Sequence, residues 1–114
     1  MVNTWRLINP IGSDQPLALC DCSTVEQDDL VLCDRIVVDH LSEMYMLKHN
    51  PGHVWYWTDR LTSDELSAFV TWDSKEGDHA KYCPHTSFVN TRTEMETPPR
   101  ESVETRSIII TKRS

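Results

Sequence analysis

The sequence predicts a mainly β protein, a single domain over residues 1–114, built as part of a double-sheet jelly roll with one or two short helices. Three observations lead there. Six or seven short runs are rich in β-branched and aromatic residues. Turn residues separate most of them. The helical signals are brief, and none extends into a long amphipathic stretch.

Val2 to Ile8 opens as a strand. The cluster Asn9-Pro10-Ile11-Gly12-Ser13-Asp14-Gln15-Pro16 reads as a loop, because Pro, Gly, Asn and Asp break both regular structures. Leu17 to Cys20 is a short apolar strand. From Asp21 to Leu30 a turn passes into one or two helical turns, with Ser23 or Thr24 as N-cap and acidic residues in the first turn. Val31 to Val38 is apolar and β-branched but carries Asp34-Arg35 at its middle. Glu43 to Leu47 and Val54 to Thr58 flank His49-Asn50-Pro51-Gly52-His53. Asn-Pro-Gly is strong turn chemistry, which predicts a β-hairpin from these two runs.

Thr62-Ser63-Asp64-Glu65 has the spacing of a capping box and predicts a short helix over Asp64 to Ala68. Phe69 to Asp73 reads as a strand and Ser74 to His79 as a polar loop. Tyr82 to Phe88 is a strand carrying His85. Asn90 to Pro99 is a loop held extended by its two prolines. Val103 to Thr111 closes the chain as a strand, with Ile108-Ile109-Ile110 expected to be its most buried part.

Eighteen acidic residues against eleven basic give a net charge of −7. An acidic chain disfavours nucleic-acid binding, which rests on Lys and Arg neutralising phosphates. No apolar run approaches the ~20 residues of a membrane-spanning helix. The N-terminus lacks a charged segment followed by an apolar one, so it does not read as a signal peptide. The expected setting is cytoplasmic and reducing, where Cys20, Cys22, Cys33 and Cys83 stay unpaired. Their spacing does not match paired zinc knuckles, and they read as small buried hydrophobes.

His49 and His53 are four apart, but Pro51-Gly52 between them forbids the helix that would bring them together. Trp55 and Trp57 share one strand face and Tyr56 takes the other. One face is expected in the core, and the other is open to a pocket role. Alone, His85 is either a polar residue at a strand edge or a metal ligand. Arg100 and Arg106 are either partners of Glu96, Glu101 or Glu104, or anion anchors.

Eight groups of residues recur in this order in one family: Asn3-Thr4-Trp5-Arg6, Pro16 to Asp21, Glu43-Met44-Tyr45, His49 to Trp57, Asp64-Glu65, Trp72-Asp73-Ser74, Pro84 to Phe88, and Pro99-Arg100-Glu101-Ser102-Val103-Glu104-Thr105-Arg106. The chain resembles the fungal and bacterial hydroxylase/desaturase family that includes relatives of gibberellin desaturase and of the cephem methoxylase small component. The resemblance covers nearly the whole chain. It departs at Leu7, where the family has proline after Trp-Arg, and it corresponds to the C-terminal half of family members.

The resemblance implies an oxidoreductase of secondary-metabolite biosynthesis, with a partial double-stranded β-helix (jelly-roll, cupin-like) and Fe(II) and 2-oxoglutarate as cofactors. It implies His85 as an iron ligand. It implies Arg100 and Ser102 as anchors of the co-substrate's far carboxylate, with Arg106 as the alternate. Arg6 could reach a pocket or lie on the surface. The partner is a small-molecule natural product. A second copy or a complementary half is a further expectation, because the two-His-one-carboxylate set needs a His-x-Asp or His-x-Glu pair. Each histidine here is followed by another pattern: His40-Leu-Ser, His49-Asn-Pro, His53-Val-Trp, His79-Ala-Lys, His85-Thr-Ser.

Overall fold

The computed structural model describes residues 1–9, 14–77, 79–92 and 97–112. Eight strands follow in order: β1 (Val2–Leu7), β2 (Leu17–Cys20), β3 (Leu30–Val37), β4 (His40–Leu47), β5 (Trp55–Trp57), β6 (Ser67–Val70), β7 (His85–Ser87) and β8 (Ser102–Ser107). All pairings are antiparallel. The first sheet has the order β6-β1-β8, the second β5-β2-β7, and β3 and β4 form a two-stranded sheet.

Alternation along β1 decides how the sheets face each other. Asn3, Trp5 and Leu7 are buried, while Thr4 and Arg6 are not. Directly opposed residues of an antiparallel pair share a face. The register pairs Asn3 with Phe69 and Arg106, Trp5 with Ser67 and Glu104, and Leu7 with Ser102. All of these therefore belong to the inner face. Trp5, Leu7 and Phe69 form the core, and Leu17 and Leu19 of β2 pack against it from the second sheet, with Leu61 and Cys83 alongside. On that sheet Leu19 opposes both Tyr56 and His85, which places those two on its inward face.

Several expected elements are rebuilt by tertiary pairing. The hairpin expected around Asn50-Pro51-Gly52 does not form. The turn itself is present, with Gly52 N–H donating to Asn50 Oδ1 at 2.9 Å and His53 N–H to the Asn50 carbonyl at 3.1 Å. Its two arms separate, however: β4 pairs with β3, and β5 crosses to β2. The hairpin is β3-β4, closed over Val38-Asp39. Asp39 adopts φ 69°. A left-handed backbone is unfavourable for a residue with a Cβ by about 1–2 kcal/mol and is easiest for Gly, Asn and Asp. Asp39→Val should therefore lower the thermal midpoint, whereas Asp39→Gly should match or exceed the parent.

The helix expected over 64–68 is absent. Its capping interaction exists, because Glu65 Oε2 accepts from Thr62 N–H at 2.8 Å and from the Thr62 hydroxyl at 3.1 Å. The chain then enters β6, because Ser67 to Val70 pair with β1. The helical turns expected after Asp21 are two 3₁₀ turns, Cys22–Thr24 and Gln27–Asp29. Asp21, not Ser23 or Thr24, caps the first, accepting from Ser23 N–H at 2.9 Å and Ser23 Oγ at 2.7 Å. These bonds hold the Asp21 carboxyl below its ordinary pKa.

The final strand stops at Ser107, and Ile108, Ile109 and Ile110 are 74%, 63% and 89% exposed, the reverse of the expected burial. Trp55 and Trp57 on one face and Tyr56 on the other are also exposed, so neither face of β5 is core. Parts of the loops expected over 9–16, 74–79 and 90–99 lie outside the described residues. No helix among the described residues is long and apolar enough to cross a membrane.

Candidate functional site

The register of β7 and β8 puts His85, Ser102 and Arg106 on the inward faces of their two sheets. His85 begins β7, and its ring lies 4.6 Å from the Phe69 ring at 55°. Its Nδ1 is 2.9 Å from the Cys83 carbonyl. A carbonyl only accepts, so Nδ1 carries the proton and Nε2 keeps its lone pair. This tautomer suits a metal ligand, whose second nitrogen is usually held by a carbonyl or carboxylate.

Arg100 precedes β8 rather than lying in it, so strand alternation does not place its side chain. Three contacts do. Its backbone N–H donates to Asp14 Oδ1 at 3.0 Å, Nη1 donates to the Gln15 carbonyl at 2.8 Å, and the guanidinium carbon sits 5.8 Å from the Trp5 ring centroid. Ser102 faces inward beside Leu7. Arg106 faces inward beside Asn3, and its Nε donates to Asn3 Oδ1 at 3.1 Å. Asn3 is fully buried and also bonds Glu104 and Thr71.

Neither Arg100 nor Arg106 forms an ion pair among the described residues, where the ion pairs are His53 with Asp29 and His79 with Asp73. The ordinary salt bridges to Glu101 or Glu104 are thus not made, and Glu96 lies outside the described residues. Arg6 is exposed, opposite Val103 on the outer face of its sheet.

The residues that sequence reasoning missed are the supports: Trp5 under Arg100, Phe69 beside His85 and Asn3 beside Arg106. Alternation in Val2–Leu7 would have flagged Asn3 and Trp5 as one face. Phe69 needed the β1-β6 register.

A cavity of about 110 Å³ opens between the sheets, lined by Leu17, Leu19, Tyr56, Trp57, Thr58 and Ser67. It is smaller than the ~300 Å³ at the low end of whole small-molecule sites. Tyr56 and Trp57 stand in its wall.

The four cysteines are free. Burial pushes the Cys20 and Cys83 thiols above their ordinary pKa, so they stay protonated and inert. Among the described residues no three His, Cys, Asp or Glu side chains converge as a metal site. His85 fits one ferrous ligand, and the arginines fit a carboxylate anchor. The described residues do not by themselves close an iron site.

Facing antiparallel sheets with polar groups turned into the gap define a jelly-roll protein of the kind that houses its site between the sheets. The chain belongs to the family described as an oxidoreductase/YMDC permease-like domain, whose model matches residues 1–110. It is 34% identical over 111 residues to aspirochlorine biosynthesis protein N of Aspergillus oryzae, covering 96% of this chain and 47% of that protein. It is likewise 34% identical over 120 residues to the hydroxylase/desaturase efuI of Hormonema carpetanum, covering 96% of this chain and 40% of the relative. The solved iron and alpha-ketoglutarate-dependent endoperoxidase NvfI superposes with a TM-score of 0.82 at 28% identity, over 90% of this chain and 38% of that one. The chain therefore spans less than half the length of these relatives. They bear out the expected hydroxylase/desaturase resemblance and the jelly-roll class.

Proposed function

We propose that the chain is the C-terminal portion of an Fe(II)- and 2-oxoglutarate-dependent oxygenase barrel, acting on a small natural product. In this reading His85 supplies one imidazole ligand through Nε2. Arg100 and Ser102 bind the distal carboxylate of the oxo acid, and Arg106 is the alternate anchor. The observation that carries it is His85 in the metal-ready tautomer on the inward face of one sheet, together with arginines that no described carboxylate pairs with. An unpaired, half-buried guanidinium calls for an anion, and its planar fork suits a carboxylate. Arg100 is favoured over Arg106 because its guanidinium rests half-buried over the core residue Trp5, whereas Arg106 is exposed.

The remaining iron ligands come from a complementary half. β7 and β8 each end their sheet's order, leaving an open row of backbone donors and acceptors that invites a further strand. Val103, Ile108, Ile109 and Ile110, beside the β8 edge, are exposed and apolar, as a covered surface would be before its cover is added. In the completed barrel, bound iron and oxo acid supply the oxidising chemistry. This chain's own residues hold the oxo acid's far end, orient His85 through the Cys83 carbonyl and wall one side of the substrate space with Tyr56.

Anaerobic titration with Fe(II) and 2-oxoglutarate tests the proposal. The chain is measured alone and mixed with the part of the Hormonema relative that lies outside the match. The mixture should develop a visible metal-to-ligand charge-transfer band, lost in His85→Ala and weakened at least tenfold in affinity in Arg100→Ala, the scale of a lost charge-assisted pair. No band from folded protein in either arm, or a band indifferent to His85→Ala, would reject it.

A further inference from the structure

We infer that Trp5 is a positioning residue for the co-substrate, holding the Arg100 guanidinium in the orientation that receives a carboxylate. The inference rests on the oxygenase reading and adds a residue to it.

Trp5 is 4% exposed and fixed in the core, where Leu7 and Phe69 join it and Leu17 and Leu19 pack from the opposite sheet. Its ring cannot swing away. Arg100 comes from outside the strand and has no regular backbone pairing to direct its side chain. Its guanidinium lies within the ~6 Å at which a cation is attracted to an indole face. One terminal nitrogen donates to the Gln15 carbonyl at 2.8 Å. The indole face and the Gln15 carbonyl give the fork two fixed contacts. Its remaining N–H groups are left for a ligand, and no described carboxylate competes for them.

A flexible arginine loses rotamer freedom when it binds. One already laid on an aromatic face loses less, so the pre-set fork binds a dicarboxylate more tightly. Trp5 would thus act through Arg100 without touching the ligand. The position of tryptophan in the first strand has a reason beyond packing, because leucine would fill the core but offer no π face.

NMR of the full chain tests this in two independent ways. First, in ligand-free protein the Arg100 side-chain protons should be shifted upfield by the indole ring current, and Trp5→Leu should remove that shift. Second, 2-oxoglutarate should move the Arg100 Nε–H signal saturably. Trp5→Leu should weaken that titration about tenfold and Trp5→Phe about threefold, the range of one cation–π contact. In an Arg100→Gln background, where backbone shifts report binding, Trp5→Phe should change affinity less than twofold. As a control, 2-oxobutyrate lacks the distal carboxylate, and its weaker binding should not depend on Trp5.

If Trp5→Leu fails to fold, Trp5→Phe with the two oxo acids decides. Equal weakening of both oxo acids would mean that Trp5 acts only by packing, and would overturn the inference. So would the absence of a ring-current shift in the parent, which leaves the oxygenase reading standing. Movement of Arg106 signals in place of Arg100 would also overturn it. If 2-oxoglutarate moves neither arginine, in the folded chain alone or mixed with the part of the Hormonema relative outside the match, the co-substrate reading and this inference fail together.

Discussion

Replacing Leu7 with alanine should destabilise the chain by about 3 kcal/mol, the middle of the range for emptying a packed leucine site. Leu7 is 1% exposed and lies at the junction of the two sheets, with Trp5 and Phe69 on its own sheet and Leu17 and Leu19 opposite. Few other residues are available to collapse into the space, because the buried apolar set is small: Trp5, Leu7, Ala18, Cys20 and Phe69. A loss of that size is a large fraction of the ~5–15 kcal/mol that holds a natural domain folded. Urea denaturation measures it directly. Ile109→Ala is the matched control. Ile109 is 63% exposed, and its loss should change stability by no more than about 0.5 kcal/mol. If the two substitutions had equal effects, the sheets would not meet where the structure has them meet.

Acid should loosen the chain through Asp29, and Asp29→Asn should abolish that part of the response. Asp29 is buried at the end of the second 3₁₀ turn. Its carboxylate accepts from His53 Nε2–H at 2.9 Å, from Asn50 Nδ2 at 3.1 and 3.3 Å, and from Glu26 N–H at 3.0 Å. Its backbone carbonyl accepts from Lys48 N–H at 2.8 Å. The segment before β3 is thereby tied to the loop that carries the chain from β4 to β5. The His53 bond first, then the Glu26 amide, hold the Asp29 carboxyl below its ordinary 3.8.

A carboxyl with a lowered folded-state pKa adds stability that is fully present above its unfolded value. That stability is lost as pH falls through the folded value. The parent should keep this contribution down to about pH 4 and lose it below. Asp29→Asn should be less stable at neutral pH and show a shallower decline on acidification. Asp21 and Asp73 are lowered too, by Ser23 and by the Lys75 amide, so Asp21→Asn and Asp73→Asn serve as comparators. A parent whose acid profile does not differ from that of Asp29→Asn would refute the role.

Much of the site was readable because it depends on local chemistry. His85-Thr86 and Arg100-x-Ser102 announce themselves by residue type and spacing. The two turns at Asn50 to Gly52 and Thr62 to Glu65 form as their side chains dictate, since each closes within four residues. What followed each turn was not readable. Whether Glu65 leads into a helix is settled by β1, which offers Ser67–Val70 a partner strand. Whether β4 folds back on β5 is settled by β3 and β2, which take them separately. The isoleucine run shows the same limit: its composition says buried, but no described element stands over it.

The sequence by itself determined the β class, the turn positions, the acidic surface and the residue types that can bind a metal and a carboxylate. These follow from backbone preferences and side-chain chemistry that act over a few residues. Only the tertiary structure decided that β2 packs against β1 and β6 across a shared core with His85 of β7 on Phe69, that Trp5 lies under Arg100 ninety-five positions away in sequence, and that no described carboxylate pairs with the arginines. Those outcomes depend on strand register between distant segments. Register is set by which apolar faces can be buried together, a property of the whole chain rather than of any one segment.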